Sequence, residues 1–250
     1  MKGLLKKLFV KNWEHTLGIL LIVLVIIATI LRVLFAASAG SIVASQSPIG
    51  VLRYVAIGDS YTIGESVGTE DNFPSQLATQ LTATGVPTAL VANPSRTGFT
   101  SREVIALELP VLEGSKPDVA TLLVGVNDWV QGVPPEEFKS NFAIILHRMM
   151  AAVPSKRIVV ITIPDFASTP TGALYSAGRD GHRGVQSFND IIKREAALNN
   201  LPVIDIYPLS SSLGVAGGYV AYDGLHPSRK AYTKWVELIL PLAQVVFTQQ

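Results

Sequence analysis

Cysteine is absent from this chain of 250 residues. Its absence excludes disulfide bonds, and it also excludes attachment to a membrane through a lipidated N-terminal cysteine. Apolar residues make up 48% of the chain, which is ample for the core of one domain, and the length fits one domain with an appendage.

The sequence also lacks the marks of a nucleic-acid-binding protein and of a metalloenzyme. Residues 41–250 carry 15 Lys and Arg against 18 Asp and Glu, a net charge of −3. They contain neither a basic stripe nor an aromatic platform. No cluster of His and carboxylate side chains has the spacing of metal ligands. We therefore predict no nucleic-acid partner, no metal and no cofactor.

Charge is missing from one long segment near the N-terminus. Residues 17–31 are uncharged and mostly Leu, Ile and Val, and the apolar run continues past Arg32 to Ala39, 23 residues in all. This length suffices to cross a bilayer if Arg32 snorkels to the interface. Four lysines precede the run, so the positive-inside rule leaves residues 1–16 in the cytoplasm and the later residues outside.

Two interpretations of this segment stay open. Residues 17–39 are a single-pass signal anchor, or they are a long signal peptide cut near Ala39, which would release a secreted protein. The basic head and Arg32 favour the anchor. Residues 36–50 are rich in Ala, Ser and Gly, so residues 40–50 are then a linker, and residues 51–250 form an extracytoplasmic domain. A buried core helix is disfavoured because the segment has no amphipathic pattern.

From residue 51 onward, short apolar runs alternate with helix-like segments. Continuous apolar runs, typical of strands buried on both faces, lie at 53–57, 88–92, 119–124, 157–163 and 203–206. Helices are predicted from residue 134, over 186–199 and from residue 227. The alternation predicts an α/β fold, a three-layer doubly wound parallel sheet of about five strands. Functional sites of such sheets lie at the carboxyl ends of the strands.

Residues suited to nucleophilic catalysis follow two of these runs and recur near the C-terminus. Ser60 stands in a Gly-Asp-Ser-Tyr sequence after the first run, and Asp223 precedes His226 by three residues. A serine hydroxyl becomes a nucleophile when an imidazole takes its proton and a carboxylate orients that imidazole. Asn127 supplies an amide donor after another run. The pattern predicts Ser60 as nucleophile, His226 as base and Asp223 as the orienting carboxylate in acyl transfer from an ester.

Other residues compete for these roles. Ser60 alone could be a turn serine or a helix cap. His182 is the rival base, but it is predicted to lack an orienting carboxylate, whereas Asp223 precedes His226 by three residues within one turn. Asp205 could replace Asp223 as the orienting group, although no histidine is near it in sequence.

The stretch 164–184 is rich in Pro, Ser, Thr and Gly and is predicted as a long loop. Because it follows a strand on the catalytic edge, it is a candidate for one wall of the substrate site. Two further acids, Asp59 and Asp128, are predicted to cap or brace their loops instead of taking part in the chemistry.

These motifs together resemble the blocks of the SGNH hydrolases, also called the GDSL esterase/lipase family. The matching positions are Gly58, Asp59 and Ser60 in the serine block, Gly125, Asn127 and Asp128 in the asparagine block, and Asp223 and His226 in the last block. The glycine block resembles residues 93–100, where Pro94 and Arg96 enlarge the loop. The order is that of the family, and the resemblance covers about residues 51–245.

The resemblance implies a flavodoxin-like SGNH hydrolase fold and an oxyanion hole. The hole would consist of the Asn127 side chain and the backbone N–H groups of Ser60 and Gly98, the family glycine. Family substrates range over short acyl esters, lysophospholipids, thioesters and O-acetylated sugars.

The sequence therefore predicts a membrane-anchored extracytoplasmic serine esterase that acts on acyl or acetyl esters of lipid or glycan through an acyl-enzyme. The alternative is a non-catalytic surface module that binds glycan or protein on the same scaffold. The intact set of Ser60, Asn127, Asp223 and His226 argues against that alternative, since a binding module need not retain it.

Overall fold

The computed structural model describes residues 50–249. The predicted cytoplasmic head, membrane segment and most of the linker fall on residues 1–49, outside the described residues, and these assignments stay predictions. Between residues 50 and 249, no helix combines the length and the apolar character needed to cross a bilayer.

Five parallel strands form one sheet, as the sequence predicted, and their order is β2-β1-β3-β4-β5. The strands are β1 (Leu52–Gly58), β2 (Thr88–Ala92), β3 (Val119–Leu123), β4 (Ile158–Ile161) and β5 (Val203–Ile204). Every residue of β3 and β4 is buried, because helices cover both faces of the sheet. β4 and β5 are shorter than predicted because backbone groups beyond their ends bond to side chains and not to the neighbouring strand. The Ile206 N–H, for example, donates to Thr162 Oγ1 at 2.9 Å.

Helices connect and cover the strands. They are α1 (Ser60–Ile63), α2 (Phe73–Ala83), α3 (Ser101–Glu103), α4 (Leu109–Ser115), α5 (Val126–Gln131), α6 (Pro135–Ala152), α7 (Gly172–Ser176), α8 (Gly181–Leu198), α9 (Tyr207–Gly214) and α10 (Arg229–Phe247). A π-helical turn, Val104–Glu108, joins α3 to α4. α2 and α10 pack together on one face, while α6 contacts α4 and α8 on the other, giving three layers.

The prediction of one long loop at 164–184 is wrong in part. The segment holds a 3₁₀ turn, Phe166–Ser168, and α7, and α8 begins at Gly181, five residues before its predicted start. Asp180 caps α8 by accepting the backbone N–H of Arg183 at 3.0 Å. Glycine at 184 is typical of a loop, but here it makes room for Trp129, since a Cβ at 184 would lie 1.9 Å from the indole nitrogen.

Strand register brings two of the predicted site segments to the same point of the sheet edge. Gly58, the last residue of β1, is paired with Leu123, the last residue of β3. A Cβ at Gly58 would lie 2.3 Å from the Leu123 carbonyl oxygen, so only glycine allows this approach. Ser60 and Asn127 follow the two strand ends within four residues, and the sequence prediction that they share one edge is confirmed.

Candidate active site

Ser60 is the first residue of α1, directly beyond β1. Asp59 caps this helix by accepting the backbone N–H of Tyr61 at 3.0 Å, which confirms its predicted capping role. The hydroxyl of Ser60 lies 2.9 Å from Nε2 of His226. Both residues are buried, with 5% and 7% of their surfaces exposed, so little water competes for this contact.

Asp223 holds the other side of the His226 ring. Its Oδ2 lies 2.6 Å from Nδ1 of His226, while its Oδ1 accepts the backbone N–H groups of Leu225 and His226 at 2.8 and 2.9 Å. The tight turn made by these bonds explains why a spacing of three residues brings the carboxylate onto the imidazole. The ring of Tyr61 packs against the imidazole at 5.3 Å between centroids.

The Asp223 carboxylate is strongly stabilised in its ionised form. Partial burial alone would raise its pKa, but hydrogen bonds from His226, the Leu225 backbone and the Ser66 hydroxyl outweigh burial and lower the pKa to about 2. The Ser66 hydroxyl donates at 2.7 Å. Asp223 is therefore a carboxylate throughout the neutral and mildly acidic range.

Two buried acids beneath Ser60 behave in the opposite way. Burial raises the pKa of Asp59 and of Glu108 to about 8, and a neighbouring carboxyl group adds to each rise: Asp128 for Asp59, and Asp59 for Glu108. Glu108 Oε2 accepts the backbone N–H of Gly58 at 2.9 Å. This contact ties the π-helical turn to the strand end that carries the serine.

Three N–H donors, one of which is the backbone N–H of Ser60, are available to a ligand at this site. Asn127 donates one amide hydrogen to the Phe99 carbonyl at 2.9 Å, which leaves its second amide hydrogen for a ligand. Within residues 50–249, the backbone N–H groups of Ser60 and Gly98 have no acceptor. Gly98 has a φ of 83°, a left-handed conformation that favours glycine.

Asp128 braces the two segments that carry these donors, as predicted. It accepts the backbone N–H of Ser101 at 2.9 Å and also the Ser101 hydroxyl at 2.5 Å. Burial raises the pKa of Asp128, although the bonds from Ser101 oppose that rise. The start of α3 is thereby fixed to α5.

A pocket of about 160 Å³ opens at Ser60 and His226. Asn127 and Gly98 line it beside these two side chains. The other lining residues, mostly apolar, are Tyr61, Thr97, Val126, Val130, Phe166, Tyr175 and Leu225. The pocket can therefore hold a small apolar group with a carbonyl near the three donors. Phe166 and Tyr175 come from the stretch that was predicted as a wall of the site.

The two rival residues, His182 and Asp205, are hydrogen-bonded to neither Ser60 nor His226, but the prediction made about His182 was wrong in one respect. His182 was predicted to have no orienting carboxylate, yet its Nδ1 lies 3.0 Å from Asp165, 17 residues earlier in the chain. The other rival, Asp205, is bonded to Lys193 at 2.6 Å and to Thr162 at 3.1 Å, away from His226. Within the described residues, no group of three or more His, Cys, Asp or Glu side chains is arranged to hold a metal ion.

Ser66 and Glu108 were not among the site residues predicted from the sequence. Nothing in the sequence marks Ser66, which reaches Asp223 from 157 positions away. The helical spacing around Glu108, in contrast, could have identified it as a buried acid. It stands four residues after the buried Val104 and next to the buried Leu109, so a helical pattern places a carboxyl group on the core face.

A parallel five-stranded α/β sheet that gathers serine, histidine, aspartate and asparagine at its carboxyl edge defines a hydrolase of the SGNH type. Residues 56–234 match the sequence model of the GDSL-like Lipase/Acylhydrolase family. The chain belongs to this family and is a serine hydrolase of ester bonds, as the sequence predicted.

Known proteins similar to this chain include Esterase TesA of Pseudomonas aeruginosa, which is 22% identical over 187 residues, covering 75% of this chain and 85% of the esterase. The crystal structure of a lipase/acylhydrolase from Enterococcus faecalis has a TM-score of 0.63 at 22% identity, covering 78% of this chain and 96% of that one. Axe2, an acetylxylan esterase from Geobacillus stearothermophilus, has a TM-score of 0.63 at 17% identity, covering 81% and 97%. These structural likenesses establish a shared fold.

Proposed function

We propose that Ser60, His226 and Asp223 are the catalytic triad of this ester hydrolase. The observation that carries the proposal is the continuous hydrogen-bonded chain from Ser60 Oγ through both nitrogens of His226 to Asp223. The ionised Asp223 accepts the Nδ1 hydrogen, so that Nε2 is left as the base that faces the hydroxyl.

The reaction proceeds through an acyl-enzyme. Ser60 Oγ attacks the ester carbonyl carbon while its proton moves to His226 Nε2. The carbon–oxygen bond to the alcohol then breaks, and the departing alcohol oxygen takes that proton. Water attacks the acyl-enzyme, gives a proton to His226, and the acid leaves as the proton returns to Ser60.

The negative charge on the carbonyl oxygen is stabilised by the second amide hydrogen of Asn127 and by the backbone N–H groups of Ser60 and Gly98. The support for this assignment is that these donors border the pocket and that the two backbone groups have no other acceptor within the described residues. Donors fixed in advance are effective because they need no reorganisation as the charge develops.

The substrate is proposed to be a carboxylic ester with a small acyl group. The pocket volume and its apolar lining suit such a group, and the names of the similar proteins include an esterase and an acetylxylan esterase. Lipid and glycan esters both fit this class.

The proposed location is the outer face of a membrane, with residues 17–39 as the anchor. The support is the uncharged segment and the four lysines before it. Protease added to intact cells should degrade the domain and leave residues 1–16 protected. A domain that stays intact until the cells are lysed would contradict this location, and a mature N-terminus at Gly40 would favour a secreted form.

Labelling with a fluorophosphonate tests the proposed nucleophile. Ser60→Ala should lose both labelling and hydrolysis of p-nitrophenyl acetate while keeping its melting temperature. Ser168→Ala is the matched control. Ser168 donates to Asp165, the carboxylate beside His182, so this variant should keep both labelling and hydrolysis. Retained hydrolysis in Ser60→Ala would remove Ser60 from the mechanism.

A further inference from the structure

The pocket at Ser60 has two sides that belong to different parts of the chain. One side is α5, which contributes Asn127 and Val130. The other is the wall segment, defined here as residues 164–180 between β4 and α8, which contributes Phe166 and Tyr175. The width of the pocket therefore depends on what holds the wall segment against α5.

Arg179 makes that connection. Its two terminal nitrogens donate to the carbonyl oxygens of Trp129 and Val130, each at 2.8 Å. Its guanidinium also lies over the Trp129 ring, 4.0 Å from the centroid. One side chain of the wall segment thus binds the end of α5 at three points.

The chemistry of both partners favours this contact. The last carbonyl groups of a helix have no partner within the helix, and the C-terminal end of the helix dipole attracts a cation. The planar fork of a guanidinium can donate to two carbonyl oxygens at once while stacking on an aromatic face. A lysine in the same place offers one charged nitrogen and loses the fork geometry.

Arg179 is also connected to the residues that line the pocket. Its backbone N–H and its Nε both donate to the Ser176 carbonyl, at 2.9 and 3.3 Å, so it closes the turn that follows Tyr175. The Trp129 ring beneath the guanidinium packs on Phe166, with centroids 5.7 Å apart. Movement of Arg179 would therefore move both apolar residues of the wall.

We propose that Arg179 is a specificity-determining residue that fixes the width of the acyl pocket by holding the wall segment against α5. The inference rests on the proposed function, in which the acyl group occupies this pocket. A cavity of about 150 Å³ holds a benzene-sized molecule, so the pocket of about 160 Å³ suits an acyl chain of about six carbons. Longer chains require the wall to move outward.

The test measures kcat/KM for p-nitrophenyl esters from acetate to decanoate. The parent enzyme should peak near hexanoate. Arg179→Ala should raise the ratio of decanoate to hexanoate about tenfold, since misfit of even one methylene changes discrimination by about tenfold or more. Arg179→Lys should shift the profile in the same direction by less. Arg183→Ala is the control, because it removes the same charge from an exposed side chain with no hydrogen bond or ion pair within residues 50–249.

An equal loss on all esters in Arg179→Ala, with an unchanged chain-length profile, would reduce Arg179 to a structural residue and overturn the inference. A profile shift of the same size in Arg183→Ala would also overturn it. If the alanine variant fails to fold, as judged by its melting curve, the lysine variant decides the case. Fluorophosphonate labelling of the parent separates the two claims. An unlabelled parent refutes the proposed function, whereas a labelled Arg179 variant with the parent's profile refutes only the inference.

Discussion

Two Asp–His pairs lie on the same edge of this sheet, and only one of them meets a serine hydroxyl. Asp223 faces Nδ1 of His226 at 2.6 Å, and Asp165 faces Nδ1 of His182 at 3.0 Å. Asp165 is even the more buried carboxylate, with 1% of its side chain exposed against 24% for Asp223. An orienting carboxylate therefore does not by itself distinguish the two histidines.

The difference lies on the far side of each ring. Nε2 of His226 is directed at the Ser60 hydroxyl, whereas Nε2 of His182 has no hydrogen-bond partner within the described part of the chain. The serine near the second pair, Ser168, donates to the Asp165 carboxylate and not to the imidazole of His182. An Asp–His pair becomes a base for catalysis when its free nitrogen faces a hydroxyl beside oxyanion donors.

The largest expected effect separates the two histidines directly. His226→Gln should lower kcat/KM for p-nitrophenyl acetate by roughly 10⁵–10⁶-fold, because the base is lost. His182→Gln should stay within about threefold of the parent, since its ring contacts no reacting group. Equal losses in the two variants would mean that both pairs serve the reaction.

Replacing the orienting carboxylate comes next. Asp223→Asn should lower kcat by about 10⁴-fold, because an amide favours the wrong tautomer of the imidazole. Asp205→Asn is the control at the rival position, and steady-state kinetics should find it near the parent because Asp205 pairs with Lys193. A strong loss in the control with little loss in Asp223→Asn would reverse the assignment.

The oxyanion donor should have a smaller effect. Asn127→Ala is expected to lower kcat by about 10²–10³-fold with little change in KM, because the donor acts on charge that exists in the transition state. A variant altered only in KM would show that Asn127 binds the substrate and does not stabilise the oxyanion.

The pH dependence of stability is the smallest expected effect. The pKa of Asp223 is about 2, below its ordinary value of 3.8, so the stability it contributes is present above pH 3.8 and lost as the pH falls towards 2. The pKa of Glu108 is raised from 4.5 to about 8, so its contribution is present below pH 4.5 and lost as the pH rises through 8.

Melting temperatures of two variants across pH can check these signs. The deficit of Asp223→Asn relative to the parent should shrink on acidification. Glu108→Gln should gain on the parent as the solution becomes alkaline, because the amide cannot ionise. Parallel pH curves for parent and variants would contradict both shifts.

The sequence was sufficient for the sheet and for the central residues of the site. Continuous apolar runs predicted the five strands, most securely β3 and β4, because a strand buried on both faces has no polar side. Asp223 could be paired with His226 because one turn joins them. Their approach to Ser60 followed from the resemblance, not from any local pattern, since 166 positions separate His226 from the serine.

The contacts that the sequence did not predict are those made across the fold. The partner of His182 is Asp165, and proximity in sequence could not reveal it. The early start of α8 was missed because Gly184 was taken for a loop residue, although it is required by the indole of Trp129. Arg179 likewise has no motif, because the carbonyl oxygens it binds belong to the backbone.

The position of His226 so near the C-terminal helix has a consequence for folding. Its ring can meet Ser60 only after the chain following β5 has returned to the sheet and α10 has packed against α2. Contacts between residues so distant in sequence form slowly, because the long intervening loop must first be closed. The Ser60 hydroxyl therefore lacks its imidazole partner in an incomplete or still-folding chain. Under the proposed mechanism, the onset of fluorophosphonate labelling during refolding should mark the moment at which the C-terminal segment docks.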